Sequence, residues 1–426
     1  MRMDSPSRLE ATARPVRPIG VFHPGTQHSW QTARALQDVS DLGWYATSIF
    51  WIPKRFPYRV VPWLPGPLRR RVEAELRRFH HPALDPQLVR THNGPEWAMR
   101  LAARAGLRRL AARFQARSNT DFARPVTRLL AREPVRAVWG YDLSSLEVFR
   151  AARAAGVTTI LDRTIGHPAT YNRVMEEVYD AYPAFFRSPD WRIDQATIDR
   201  ADAEHALADR ILVGSDFCAA TLREAGPAAV DPARIEVVAY CFDDHFFAAA
   251  RRPLRRPERP IRFLFTGLAG PRKGIHLVLE VFAKIPRSAA SLTILGEMQV
   301  PPETFARFAD RVEHHPTVAR RDVARFMAEA DCLLFPSYFE GAGLVLYEAL
   351  ASGLGIIQSR NAAVVLPEDS ELLMRALSED ELMRCVTAVI ERPLLLEQQR
   401  AEGLAAVPAY TYDAYRARVA EIAGRV

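Results

Sequence analysis

The chain has no run of about 18 consecutive apolar residues, so no segment of it reads as a bilayer-crossing helix. Its start, MRMDSPSRLEATARPVRP, lacks the apolar stretch of a secretory signal and reads as a disordered lead-in over 1–18. Cysteine is scarce. Cys218, Cys241, Cys332 and Cys385 are widely separated and form no C-x-x-C pair. That spacing argues against a zinc site or a disulfide framework, and for buried thiols in a reducing cytoplasm. No helix-turn-helix or zinc-finger pattern accompanies the positive charge, so nucleic acid is not an expected partner. No internal repeat at a solenoid period is present either.

What is present is a chain of 426 residues, 48% of them hydrophobic. That is too long for one core and suits two domains of roughly 200 residues. The net charge is +7, and the surplus is local. Between Lys54 and Arg136, 19 Lys and Arg stand against 6 Asp and Glu. This segment contains GPLRRRVEAELRRF and RAGLRRLAARFQAR, both basic amphipathic helices by their spacing. Such helices can lie on an anionic membrane surface or gather an anionic acceptor; an ordinary solvated face is the plainer alternative.

Short apolar runs rich in β-branched residues alternate with helical patterns along the whole chain. IGVFH, AVW, VTTIL, RILVG and IEVVAY read as buried parallel strands. After RRPLRRPERP (251–260), which has the composition of a linker, the rhythm restarts with IRFLFTG, SLTILGE, CLLFP and GIIQS. The expected fold is therefore α/β, two doubly wound Rossmann-like domains facing a central cleft. The first domain is placed at 19–250 and the second at 261–408. A last helix over 409–426 is expected to pack back on the first domain. Ligands in such sheets gather beyond the carboxyl ends of the strands, which directs attention to 23–30, 162–171, 266–274, 295–299 and the turn after CLLFP.

The most informative stretch is PSYFEGAGLVLYEALASG, Pro336 to Gly353. Seven residues separate Glu340 from Glu348, and between them a glycine turn opens into an apolar helix. Gly341 and Gly343 remove side chains where a ligand must approach the main chain. The unpaired N–H groups of a first helical turn, with the positive end of its dipole, attract phosphate oxygens. Carboxylates beside phosphates make sense as acceptors for hydroxyls: Glu340 for a sugar ring, Glu348 for a ribose diol. Together these features fit a nucleoside diphosphate-sugar.

At this point the second half resembles the retaining glycosyltransferases of family 4, with the GT-B architecture. FTGLAGPRKGIHLVLEVF, LTILGE, VARFMAEADCLLFPS and EGAGLVLYEALASG carry the resemblance over most of 261–360. Weaker matches run through ADAEHALADRILVGSDFCAATLREAG, PARIEVVAYCFDDHFF and the loop PGTQ. The resemblance implies that Lys273 is the cation on the donor diphosphate, that Glu340 contacts the donor sugar and that Glu348 contacts the ribose. It implies that the main chain from Gly341 through Ala342 and Gly343 to Leu344 cradles sugar and phosphate. Gly25 and Gly267 would let their loops approach the donor. Where the family has an arginine after this last glycine the chain has Leu268, and Arg272 is expected to supply the guanidinium. Tyr240-Cys241 stands where the family has Tyr-Gly. His167 is expected near the reactive carbon, as a neutral imidazole bonded to a hydroxyl, with Asp162 and Arg163 as acceptor contacts. No D-x-D occurs, so a metal is not indicated and no cofactor is expected.

The expected function is thus a transferase that moves a hexose from a nucleotide-sugar (UDP or GDP type) to a glycan or lipid-linked acceptor, with retention of configuration. Polysaccharide, lipopolysaccharide or glycolipid assembly is the expected setting. The expected place is the cytoplasm, or the inner face of the cytoplasmic membrane through the basic helices of 54–136. The competing reading is a non-catalytic binding or scaffold protein that kept the GT-B fold.

Overall fold

The computed structural model describes residues 18–25, 28–56, 58–92, 121–226, 229–242, 244–250 and 260–426. The lead-in 1–17, the stretch RAGLRRLAARFQAR and residues 251–259 of the linker lie outside them. Among the described residues, twelve strands form two parallel sheets, one of seven strands and one of five. The α/β class with two wound sheets is the expected one. The chain divides into two compact units, Met1–Gly140 with Glu147–Thr159 and Ala423–Val426, and Tyr141–Leu146 with Ile160–Ile422.

In the first unit β1 (Ile19–Phe22), β2 (Leu42–Thr47), β3 (Val89–Thr91) and β4 (Ala137–Tyr141) run side by side in the order β3-β2-β1-β4. Ile19, Val21, Phe22, Trp44, Val138 and Trp139 are fully buried there. Gly20 is required by its neighbour: a Cβ on it would stand 2.3 Å from the Trp44 ring. A satellite core of Ile49, Tyr58, Val61, Leu76 and Phe79 supports the basic helix Gly66–Leu76. Arg136 fastens the chain's last residues by donating to the carbonyls of Ala423 and Val426. The final helix Tyr412–Gly424 thus ends on this unit.

The second unit holds β5 (Thr158–Arg163) from Ile160 on, β6 (Arg210–Val213) and β7 (Ile235–Val237), paired in that order. It also holds the whole second sheet: β8 (Ile261–Thr266), β9 (Ala290–Leu295), β10 (Glu313–His315), β11 (Cys332–Phe335) and β12 (Gly355–Gln358), in the order β10-β9-β8-β11-β12. Ile261 faces Ala290 and Thr266 faces Leu295, so β8 and β9 end level. Chain order reverses between β8 and β11, and the crevice beyond their carboxyl ends is where such sheets hold ligands. All four cysteines are free and buried. No described helix is long and apolar enough to cross a membrane.

Candidate active site

Two loops leave the switch point. The first follows β8, turns at Gly267 and tightens into the short helical turn Pro271–Lys273. The second follows β11 and runs from Pro336 to Gly343 before the helix Leu344–Ser352. Gly274, at φ +71°, lets the loops touch: a Cβ there would lie 2.1 Å from the Pro336 carbonyl oxygen. The Tyr338 N–H donates to the Arg272 carbonyl at 2.8 Å. Asn361 donates to the Tyr338 carbonyl at 2.8 Å, and the Ser359 hydroxyl to the Ser337 carbonyl at 2.6 Å. Gly267 and Gly296 form a second close pair, because a Cβ on Gly296 would stand 2.0 Å from the Gly267 oxygen.

These loops bring Arg272, Lys273 and Glu340 together. Lys273 Nζ lies 2.6 Å from Glu340 Oε1, and Arg272 Nη1 lies 2.9 Å from the same oxygen. The Ser337 hydroxyl donates to it at 3.3 Å, and Arg272 also donates to the Phe339 carbonyl at 2.6 Å. Burial alone would push the Glu340 carboxyl up; the Lys273 and Arg272 charges and the bonds from Lys273 and Ser337 outweigh it and hold the group below its ordinary 4.5. Burial also draws Lys273 below 10.5, against the pull of Glu340. The three form an ionised cluster with two positive charges on one negative charge.

The loop after Glu340 is fixed from the other side by residues near the ends of β5 and β6. A Cβ on Gly341 would sit 1.9 Å from the Thr164 carbonyl oxygen, and the Gly341 carbonyl accepts from the Ser215 hydroxyl. Ala342 is buried, and its carbonyl accepts from the Ala363 N–H at 3.0 Å. Gly343 takes φ +77° at the start of the helix that Leu344 begins. No side chain caps that helix and no acid lies in its first turn, so its N–H groups present an uncompensated positive end.

Glu348 is on the same helix but pairs with Arg320 at 2.6 Å, apart from the Lys273–Glu340 cluster. Arg320 was missed in the sequence because it precedes its partner by 28 positions, on another helix. Gly25 belongs to the first unit, where its N–H donates to His23 Nδ1 at 3.0 Å. Leu268 is exposed, and the guanidinium near Glu340 is that of Arg272.

His167 is fully buried, and both ring nitrogens are engaged. Nδ1 accepts from the Ala169 N–H at 3.1 Å, which caps the helix Pro168–Ala181. The ring proton therefore lies on Nε2 and is given to Asp202 Oδ1 at 2.8 Å. Burial lowers the imidazole below 6.5, against the pull of Asp202. The expected bond from this imidazole to a sugar hydroxyl has no free nitrogen to make it, and His167 stands instead as a cap. Asp202 and His205 complete a group whose ligand-type atoms lie within 4.8 Å of one another. Asp162 is likewise internal, accepting from the Tyr240 hydroxyl at 2.6 Å.

Sequence and structure comparisons relate these loops to known proteins. Residues 246–393 match the model of glycosyl transferases group 1. The chain is 32% identical over 133 residues to the lipopolysaccharide glucosyltransferase WaaG of Escherichia coli (strain K12), covering 26% of this chain and 36% of that protein. It is 34% identical over 164 residues to the D-inositol 3-phosphate glycosyltransferase of Mycobacterium ulcerans, covering 35% of each. The match thus spans about a third of the length of these curated relatives. Among solved structures, sucrose-phosphate synthase from Thermosynechococcus elongatus superposes with a TM-score of 0.64 at 17% identity, over 95% of this chain and 98% of that one. Anabaena HepE in complex with UDP-glucose gives 0.61 at 12% identity, over 96% and 100%. At such identities the likeness is one of fold. Residues 246–393, the stretch that matches the group 1 glycosyl transferase model, carry Arg272, Lys273, Glu340 and Glu348.

Proposed function

We propose that the protein is a retaining glycosyltransferase that moves a hexose from a nucleotide-sugar to the hydroxyl of a glycan or lipid-linked acceptor. The observation that carries this reading is the Arg272–Lys273–Glu340 cluster at the β8/β11 switch point, on the loop that leads into an uncapped helix. Breaking a sugar–phosphate bond builds negative charge on the leaving oxygen. Two cations beside a helix N-terminus are the arrangement that stabilises it. Glu340 keeps those cations in place and is the acceptor for donor hydroxyls. Glu348 serves the ribose by sharing its carboxylate with Arg320. Residues 261–408 are the donor-binding half and 19–250 the acceptor-binding half. In this reading the departing phosphate takes the acceptor proton, and the protein aligns the reactants and excludes water.

A thermal-shift panel of nucleotides and nucleotide-sugars, followed by donor hydrolysis, tests the reading. At a hundredfold excess over its dissociation constant, one donor should stabilise the protein by about 2.7 kcal/mol. Glu340→Gln should lower turnover by about a hundredfold or more. Stabilisation without hydrolysis or transfer would favour the scaffold alternative, and silence across the panel would defeat both.

The first unit supports a membrane partner. Phe56 is 74% and Trp63 81% exposed, with Leu68 also outside. Lys54, Arg55, Arg59, Arg69, Arg70 and Arg71 are exposed around them. Large aromatic and aliphatic side chains among cations fit the interface of an anionic leaflet. The proposed place of action is the cytoplasmic face of the membrane.

A further inference from the structure

We infer that the cavity in front of Arg163 is an oxyanion subsite, and that the acceptor sugar carries a phosphoryl or carboxylate group that enters it. This rests on the transferase reading and specifies its second substrate. Arg163 is the last residue of β5 and is only 2% exposed. Its Nη2 donates to the Gly166 carbonyl at 2.9 Å, but Nε and Nη1 have no hydrogen-bond partner. The Asp142 carboxylate stands off at 4.0 Å, and its two oxygens accept the Thr164 N–H and hydroxyl, each at 2.9 Å. A buried guanidinium with two idle donors is costly to keep, which is the condition of a site built for an anion that comes and goes.

The cavity that Arg163 lines has a volume of about 290 Å³, and Arg272, Tyr171 and Thr197 share its wall with Asp142. Arg163 and Asp142 balance, and the Arg272–Lys273–Glu340 cluster that adjoins this wall through Arg272 carries one net positive charge, so the cavity is positive. Its size is close to the lower range of small-molecule sites and larger than a lone phosphoryl group needs. A ring of sugar bearing one anionic substituent satisfies both the volume and the charge. Arg272 belongs to the donor cluster as well as to this wall, so a sugar held here lies next to the phosphates of the donor. The donor's own diphosphate is already served by Lys273, Arg272 and the helix start, which leaves Arg163 for the other substrate.

The test uses the whole chain at fixed ionic strength, with glucose 6-phosphate, glucuronate and glucose as probes. The two anions should raise the melting temperature and glucose should not. The nucleotide that stabilises the protein in the donor panel should bind alongside them without displacing them. Arg163→Gln should weaken both anions about tenfold or more, and Arg163→Lys should recover part of the loss. Thr197→Val, a milder change in the same wall, should weaken them a few-fold while leaving the nucleotide shift in place. Equal binding by the Arg163 and Thr197 variants would overturn the inference. So would equal binding of glucose, or displacement by the nucleotide, which would assign the cavity to the donor phosphates. If the nucleotide binds and no anion does, the inference fails and the transferase reading stands. If neither binds, both fail.

Discussion

Glu340 accepts from Lys273, Arg272 and Ser337 through a single oxygen, so its ionisation is tied to the cations beside it. Its carboxyl is held below 4.5 in the folded chain, so the stability it lends is complete above the ordinary carboxylate range. That stability is lost only as pH falls through the depressed folded value. In Lys273→Met the strongest opposing charge is gone and burial acts against Arg272 and the Ser337 hydroxyl only, so the carboxyl rises. Acid unfolding followed by tryptophan fluorescence should then begin at a higher pH than in the wild type. An unchanged midpoint would show that the pair is not coupled. His167 calls for a different test because its role is local. His167→Ala removes a helix cap and should cost about 1 kcal/mol, whereas His167→Asn keeps a capping side chain and should restore most of it. Turnover of His167→Asn should stay within a few-fold of the wild type; a loss of a hundredfold would return the imidazole to the chemistry. Residue identity was legible for the cluster, because glycines, cations and acids at fixed spacing admit few other uses. The engagement of His167 was not, since its partner Asp202 lies 35 positions away with no pattern linking the two.

Loops hold the site through glycine, and the requirement is steric rather than conformational at Gly341. An added Cβ would meet main-chain atoms of residues 164 and 165, which cannot rotate away. Gly341→Ala should therefore cost about 1–3 kcal/mol and weaken donor binding, because the shift passes to Glu340 next to it. Denaturant unfolding and nucleotide titration on the one variant check both effects; intact binding in a stable variant would show that the loop has slack. The strands that frame these loops were legible where apolar residues run on unbroken, as in Phe263–Phe265 and Cys332–Phe335, all of them buried. The strands not read from sequence are β2, β3 and β10. β2 carries LGWYAT with no Val or Ile, and β3 and β10 are three-residue edges reading VRT and EHH. Edge strands need little hydrophobicity, so they leave little pattern. β7 ends at Val237 and not at Tyr240: the Val238 N–H makes one more bond, to the Val213 carbonyl at 2.8 Å, and Tyr240 beyond it is buried by packing, which looks like strand in the sequence.

Across the whole molecule, the two wound sheets followed from the alternation of strand and helix patterns, whereas surface function depends on what the fold leaves outside. Burial of Tyr58, Val61 and Leu76 could be expected of apolar residues; exposure of Phe56 and Trp63 could not, and only the folded chain separates them. The satellite core fixes the 58–63 turn and the helix Gly66–Leu76, so the exposed aromatics are carried on a supported element. Cations near an anionic leaflet contribute about 1 kcal/mol each, and inserted aromatics add a component that salt does not screen. The protein should therefore sediment with vesicles containing anionic lipid and not with neutral ones. Raising salt to about 0.5 M should weaken this attachment without abolishing it. Phe56→Ser with Trp63→Ser should remove the salt-resistant part, while replacement of Arg69, Arg70 and Arg71 by Gln should remove the salt-sensitive part. Both variants should keep the wild-type thermal shift with the donor nucleotide, because the changes fall on exposed side chains of the first unit and the donor cluster belongs to the second. If the aromatic variant sediments like the wild type at both salt concentrations, the exposed rings have another partner and the membrane proposal falls.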